Sequence, residues 1–113
     1  MQLIDILARD RVAADVRVSS KKRLLEFLAN LLAVDSGPGI ERAIFEALIS
    51  REHLGSTGLG QGVAIPHGRV GGELQPPAAF IRLKPPLDFD APAGEPVDLV
   101  LALGVPAQVT DQH

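Results

Sequence analysis

The sequence predicts a single α/β domain, because two amphipathic helical segments in its first half are followed by apolar strand segments in its second half. The length of 113 residues fits one domain. Apolar residues make up 46% of the chain and aromatic residues only 4%, so the core must be built from Leu, Ile, Val and Ala. Helices that precede buried strands imply a layered α/β fold.

Two segments have the apolar spacing of amphipathic helices. The first covers roughly residues 21–33, with Ser19 and Ser20 as candidate N-cap residues. Its polar positions, expected to face water, are Lys21, Lys22, Glu26 and Asn30. The second helix covers roughly residues 40–51 and follows a Gly-Pro-Gly break. Tandem amphipathic helices of this kind are ordinary components of a hydrophobic core.

The remaining segments favour extended structure. Strands are expected at Val12–Val16, Ala78–Leu83 and Val97–Leu103, and a short helix at residues 2–8. Because the segment Val97–Leu103 is apolar at every position except Asp98, it is typical of a central strand that is covered on both faces.

Composition excludes several classes of function. The net charge of −3 and the scarcity of aromatic residues argue against nucleic-acid binding, which depends on cationic contacts to phosphates and on stacking. The chain has no cysteine, and its three histidines lack the paired spacing of metal ligands, so we expect no disulfide and no metal site. Neither a signal peptide nor an apolar run long enough for membrane insertion is evident, which predicts a cytoplasmic protein.

One stretch after the second helix concentrates residues suited to an anion. A glycine-rich turn at residues 55–62 is followed by a short apolar run that ends at Pro66 and delivers His67 onto a loop, with Gly68 behind it. Glycines allow close approach of the backbone and can arrange successive N–H groups into an anion-binding nest. The cationic or proton-donating side chains nearby in the sequence are Arg51, His53 and Arg69.

Histidine is the residue expected to act as a protein nucleophile toward phosphorus, because neutral imidazole carries a lone pair near physiological pH. Phosphoryl transfer needs little beyond in-line positioning and charge stabilisation. The residues alone also allow a simpler interpretation. In it His67 is a solvated surface residue, Arg51 and His53 stabilise the C-terminus of a helix, and the glycines form an ordinary turn.

The sequence does not match three known motifs of nucleotide-binding proteins and hydrolases. The alternating glycines Gly58, Gly60 and Gly62 precede the short strand, whereas the dinucleotide-binding fingerprint follows one. No Gly-Lys-Ser/Thr ending exists, so a Walker A loop is excluded. The Gly-x-Ser-x-Gly nucleophile elbow of serine hydrolases is also missing.

The same stretch resembles the signature of the type 2 (fructose/mannitol-like) enzyme IIA domains of the bacterial phosphotransferase system, and most resembles their nitrogen-regulatory branch. The matching segments are Arg51, Leu54–Gly60, Gly62–Gly68, Leu3–Leu7, Pro96–Leu103, Val105-Pro106 and His113. The resemblance implies a mixed β-sheet flanked by helices on both faces, formed by residues 1–113 as one domain.

The resemblance also implies a role for each matching residue. His67 would be the phosphorylated histidine, Arg51 would orient the phosphoryl oxygens through its planar fork, and His113 would be a second histidine that assists the transfer. The phosphoryl-binding positions would be Gly55, Ser56, Thr57 and Gly68. The donor would be an HPr-like phosphocarrier protein, and no metal, nucleotide or other cofactor would be needed because the phosphoryl group arrives already activated.

Two departures from the family pattern affect these expectations. Family members continue past His113 with helices that cover the sheet, so the C-terminal helices are expected to be missing here. Their absence would expose apolar surface on the strand at residues 97–103 and would favour a homodimer or instability. In addition, Gln61 occupies a position where sugar-transporting relatives can carry an acidic residue, which favours the regulatory branch.

The sequence therefore supports three hypotheses. The leading one is a regulatory phosphocarrier whose phosphorylation state changes its affinity for target proteins. The alternative is a sugar-specific IIA component that passes the phosphoryl group to a IIB domain for fructose or mannitol uptake. The third, of a different class, is a non-catalytic binding module that has kept the fold.

Overall fold

The structure, a computed structural model, describes residues 11–34, 38–70, 78–90 and 94–106. These residues form two helices and six strands. In chain order the elements are β1 (Val12–Val16), α1 (Lys21–Leu32), α2 (Pro38–His53), β2 (Gly58–Gly60), β3 (Val63–Ala64), β4 (His67–Val70), β5 (Ala78–Leu87) and β6 (Val97–Pro106). Within the described residues no helix is both long and apolar enough to cross a membrane.

The helix predicted at residues 21–33 is confirmed by α1, which has the predicted Ser20 cap and the predicted apolar face. The Ser20 side chain accepts a hydrogen bond from the Arg23 N–H at 3.2 Å, which satisfies one of the free donors of the first turn. The fully buried positions lie three and four residues apart, and these are Leu24, Leu25, Leu28, Ala29 and Leu32.

Helix α2 is longer than the segment predicted at residues 40–51. It begins at Pro38, a residue that suits the first helical position because it has no N–H to leave unsatisfied, and it ends at His53. Ile44 and Leu48 on its inner face are buried and belong to the same apolar cluster as the buried face of α1.

The six strands form one mixed sheet in the order β1-β5-β6-β3-β2, with β4 also paired to β6. Strand β6 is central, as the sequence predicts for Val97–Leu103: it runs antiparallel to β5 and parallel to both β3 and β4. Strand β1 runs parallel to β5 at one edge, and β2 runs antiparallel to β3 at the other. The mixed sheet of the predicted fold class is therefore confirmed.

The two faces of β6 have different surroundings. Val100 and Ala102 are fully buried and pack in the core cluster that contains the buried residues of both helices. The alternate positions Leu99, Leu101 and Leu103 are only half-buried. The short helix predicted at residues 2–8 and the residues beyond Pro106 lie outside the described part of the chain.

The helical pattern predicted that Lys21 faces water, but in the structure its side chain is paired with other residues. Its ammonium donates to the Glu52 carboxylate at 2.8 Å and to the Phe89 carbonyl oxygen at 2.9 Å, and it lies 4.5 Å from the centre of the Phe89 ring. The Glu52 side chain is only 3% exposed and that of Lys21 25% exposed. The pair therefore ties the start of α1 to the last turn of α2.

Glu52 also holds the turn that follows α2. Its carboxylate accepts hydrogen bonds from the Thr57 N–H at 3.1 Å and from the Thr57 hydroxyl at 2.6 Å. A buried carboxylate needs such partners to offset the loss of hydration. One side chain thus fixes α1, the end of α2 and the turn before β2 relative to one another.

Helix α2 lies directly against β4 at Gly68. A methyl group at Gly68 would lie 2.8 Å from both the carbonyl carbon and the Cβ of Ala47, closer than real side chains approach. Glycine is needed here for space, because it alone lets the helix backbone come this near to the strand. This approach brings the last turn of α2 beside His67.

Replacing Glu52 by Ala should lower the free energy of unfolding by about 3 kcal/mol, because it leaves the Lys21 ammonium without its counter-ion and the buried Thr57 donors without their acceptor. Glu52→Gln, which keeps an acceptor and loses the charge, should cost less. Urea denaturation followed by circular dichroism suits a chain without Trp or Tyr. The control is Glu46→Ala, which removes a 62% exposed carboxylate 3.7 Å from Arg42 and should cost about 0.5 kcal/mol or less. Equal losses for the two alanine variants would contradict this account.

The substitution Gly68→Ala should destabilise the protein by about 1–3 kcal/mol, since the added methyl group forces α2 away from β4. Gly39→Ala is the matched control: its Cβ would meet no atom within 4 Å, and alanine is the better helix former. The midpoint temperatures of thermal unfolding of the two variants should therefore shift in different directions or by clearly different amounts. A Gly68→Ala protein as stable as the wild type would refute the proposed close contact.

Candidate functional site

His67 is the first residue of strand β4 and pairs with Leu103 of β6. The prediction that a short strand delivers His67 onto a loop was wrong. Pro66 has no N–H to give to the ladder, but its carbonyl oxygen accepts from the Leu103 N–H at 3.0 Å, and parallel pairing with β6 resumes at His67. The proline interrupts the strand without ending it, so the histidine has a rigid sheet backbone.

Arg51, in the last turn of α2, reaches His67 directly. Its Nε donates a hydrogen bond to Nε2 of His67 at 3.2 Å, and its Nη1 donates to the Gly55 carbonyl oxygen at 2.8 Å. Two acceptors at different nitrogens hold the planar guanidinium in one orientation. The structure thus brings together the two residues that the sequence predicted for the centre of the site.

The partners of His67 define which ring nitrogen carries the proton. Nδ1 lies 2.9 Å from the Ile65 carbonyl oxygen, which can only accept a hydrogen bond, so in the neutral ring Nδ1 carries the hydrogen. Nε2 then has the free lone pair, in agreement with its role as acceptor for Arg51. The nucleophilic nitrogen of the neutral imidazole is therefore Nε2.

His67 lines an open cavity of about 670 Å³ between α2, β4 and the end of β6. Residues that line it include Ser50, Arg51, Leu54, His67, Arg69 and Val105. The lining contains two arginines and, in the part of the chain that the structure describes, no carboxylate. Because His67 is only half-buried, an incoming anion can reach it.

The turn after α2 contributes to the site mainly through Gly55. This residue has φ +150° and presents its carbonyl oxygen to Arg51, while its N–H donates to the Glu52 carbonyl oxygen at 3.2 Å. Ser56 accepts from the Gly58 N–H at 3.0 Å and donates to the Phe89 carbonyl oxygen at 2.9 Å. Thr57 is buried against Glu52.

Among the predicted phosphoryl-binding positions, Gly55 and Gly68 thus lie at the site, whereas Ser56 and Thr57 have partners elsewhere. In this geometry those two side chains shape the turn rather than face His67. A direct phosphoryl contact for any of the four positions stays a prediction.

The chain has two further histidines, His53 and His113. His53 is exposed at the end of α2 and is not part of the cavity lining, which fits its interpretation as a residue that stabilises a helix end. His113 lies outside the described residues, so its predicted assisting role stays a prediction.

Sequence reasoning missed the Ile65 carbonyl, which fixes the ring and its proton. Every residue has a backbone carbonyl, so residue type gave no signal. The available signal was Pro66, because proline holds the preceding residue extended and so sets the direction of that carbonyl.

Imidazole nitrogen chemical shifts should reveal this tautomer. In protein labelled with ¹⁵N-histidine, at a pH where the rings are neutral, two-bond ¹H–¹⁵N correlations should show a protonated Nδ1 and an unprotonated Nε2 for His67. The exposed His53 serves as an internal comparison. A protonated Nε2 on His67 would contradict the hydrogen-bond assignment.

Comparison with protein families gives one match over residues 5–113, to the model described as the phosphoenolpyruvate-dependent sugar phosphotransferase system, EIIA 2. The chain is 46% identical over 113 residues to the nitrogen regulatory protein of Pseudomonas aeruginosa, an alignment that covers 100% of this chain and 73% of that protein.

Comparison with solved structures also gives a nitrogen regulatory protein of this family. The nitrogen regulatory protein IIA-Ntr of Neisseria meningitidis superimposes with a TM-score of 0.86 at 50% identity, covering 96% of this chain and 75% of that one. The IIA mannitol domain of Escherichia coli superimposes with a TM-score of 0.74 over 89% of this chain and 72% of that one, but at 19% identity it shows only the fold. The predicted resemblance is confirmed, and the chain belongs to the type 2 enzyme IIA family of the phosphotransferase system.

Proposed function

We propose that this protein receives a phosphoryl group on Nε2 of His67 from an HPr-like phosphocarrier protein and regulates partner proteins according to its phosphorylation state. The observation that carries the proposal is the division of roles between the two ring nitrogens. Nδ1 is engaged by the Ile65 carbonyl, and Nε2 presents its lone pair beside the Arg51 guanidinium in an open cavity.

The transfer step balances with the groups present. The Nε2 lone pair of His67 attacks phosphorus, an N–P bond forms, and the bond between phosphorus and the donor's imidazole nitrogen breaks. The electron pair of that bond stays on the donor nitrogen, and no redox change occurs. The proton on Nδ1 remains there and its hydrogen bond to the Ile65 carbonyl stabilises the positive charge that the ring gains.

Arg51 is suited to stabilise the transferred group. Once Nε2 is bonded to phosphorus it has no lone pair to accept from Arg51, so the Nε–H is released for a phosphoryl oxygen. The Gly55 carbonyl holds the other branch of the guanidinium at 2.8 Å and limits its movement. Such preorganised donors act through charge stabilisation, which is the main requirement of phosphoryl transfer.

Phosphorylation would change the character of the protein surface around the cavity. A neutral nitrogen is replaced by a group with a charge of roughly −1.5 to −2, judged from other phosphorylated side chains. Leu54 at the edge of the same cavity is 84% exposed, so an apolar contact lies beside the charge that changes. A partner that packs against this surface would distinguish the two states.

The regulatory role is favoured over sugar uptake by the degree of similarity. The two nitrogen regulatory proteins described above share 46% and 50% identity with this chain, whereas the mannitol IIA domain shares 19%. The alternative is transfer from His67 to a IIB domain specific for fructose or mannitol. Incubation of the phosphorylated protein with such IIB domains distinguishes the two, and efficient transfer would reject a purely regulatory role.

Incubation with a phosphorylated HPr-type carrier should add the mass of one phosphoryl group to the wild-type protein, and His67→Ala should gain none. The matched control is His53→Ala, which removes an exposed histidine outside the cavity and should be phosphorylated like the wild type. Intact-protein mass spectrometry at neutral or alkaline pH measures the gain, because phosphohistidine is labile to acid.

Phosphorylation of His67→Ala would show that another residue accepts the group. A folded wild-type protein that never gains mass, with carriers that phosphorylate an authentic IIA domain, would leave only the hypothesis of a non-catalytic binding module.

A further inference from the structure

Arg69 lies two residues beyond His67 on the same strand. Side chains alternate along a strand, so residues two positions apart share a side, and His67 and Arg69 project together, about 6.6 Å apart along the backbone. Both residues line the cavity.

Arg69 differs from Arg51 in its surroundings. Arg51 is half-buried and donates to two acceptors at the site. Arg69 is exposed, and in the described segments no hydrogen bond or carboxylate within 4.0 Å engages its side chain. Of the other exposed arginines that the structure describes, Arg23, Arg42 and Arg82 each have a carboxylate partner, whereas Arg17, which is not part of the cavity lining, has none. Arg69 therefore places a positive charge at the cavity that no carboxylate of the described residues pairs with.

We propose that Arg69 is a steering residue for the incoming phosphorylated donor, with a role separate from that of Arg51. This inference rests on the proposed function, since the anion that it attracts is the phosphohistidine of the carrier protein. An exposed, flexible cation accelerates encounter with an anionic partner, and its effect is screened by salt. An anchored guanidinium such as Arg51 instead acts on the phosphoryl group once it is in place.

The two roles predict different dependence on side-chain chemistry. A steering charge requires only a cation at this position, so lysine should replace Arg69. Loss of the steering charge should lower the second-order rate constant of transfer but leave the lifetime of the phosphohistidine unchanged. A direct contact to bound phosphoryl oxygens would depend on the planar fork and would change the lifetime as well.

The experiment measures phosphoryl transfer from a phosphorylated HPr-type carrier to the full chain by rapid quench over a range of donor concentrations. At about 0.02 M salt, Arg69→Gln should lower the second-order rate constant about 3- to 10-fold. At about 1 M salt, where the Debye length is ~3 Å, the difference from wild type should shrink to less than about 2-fold. Arg69→Lys should remain within about 2-fold of the wild type at both salt concentrations, and Arg69→Glu should be slower than Arg69→Gln.

The matched control is Arg42→Gln, which makes the same change in net charge at an 80% exposed side chain on α2 outside the cavity lining. Its rate constant should stay within about 2-fold of the wild type, because net charge alone is not what steers the donor. The lifetime of phosphorylated His67 should be unchanged in Arg69→Gln and shortened in Arg51→Lys.

Several results would overturn the inference. These are an unchanged rate in Arg69→Gln, an equal loss in Arg42→Gln, a loss that persists at high salt, or a shortened phosphohistidine lifetime in Arg69→Gln. Each of them leaves the phosphorylation of His67 intact and so differs from failure of the proposed function. A wild-type protein that accepts no phosphoryl group would refute both.

Discussion

The close approach of helix α2 to strand β4 is the constraint on which the site depends. Arg51 reaches Nε2 of His67 only because the helix that carries it lies against the strand that carries the histidine, with no side chain at Gly68 to separate them. A side chain at this position would overlap Ala47 and force the helix and the strand apart. Packing between backbones thus determines the geometry of the polar pair at the surface.

Neighbouring residues of α2 have opposite environments and complementary tasks. Arg51 points to the open cavity, whereas Glu52 is buried and binds Lys21 and Thr57. The buried carboxylate fixes the end of the helix and the turn that follows, and this turn supplies the Gly55 carbonyl that orients Arg51. A structural ion pair therefore helps to determine the position of Arg51 without contacting it.

The sequence predicted the parts of this protein that depend on local chemistry. Helix α1 follows from apolar spacing and the Ser20 cap, and central β6 follows from its continuous apolar run. The mixed sheet as a whole was expected from the family signature.

Other features depend on contacts between distant residues, and local patterns did not reveal them. Strand β2 was expected to be a turn, since three glycine-rich residues become a strand only through pairing with β3. The extension of the sheet through Pro66 to His67 depends on β6, and the burial of Lys21 depends on Glu52 and Phe89.

The uncharged partner of Nδ1 has a consequence for the energy of the proposed intermediate. A carboxylate at this place would neutralise the imidazolium formed on phosphorylation and make the N–P bond harder to break. The Ile65 carbonyl orients the ring through a dipole and leaves most of the positive charge uncompensated. In the proposed intermediate the ring would therefore remain a good leaving group. The equilibrium between the donor and acceptor histidines would then lie near balance, and the phosphoryl group could move in either direction.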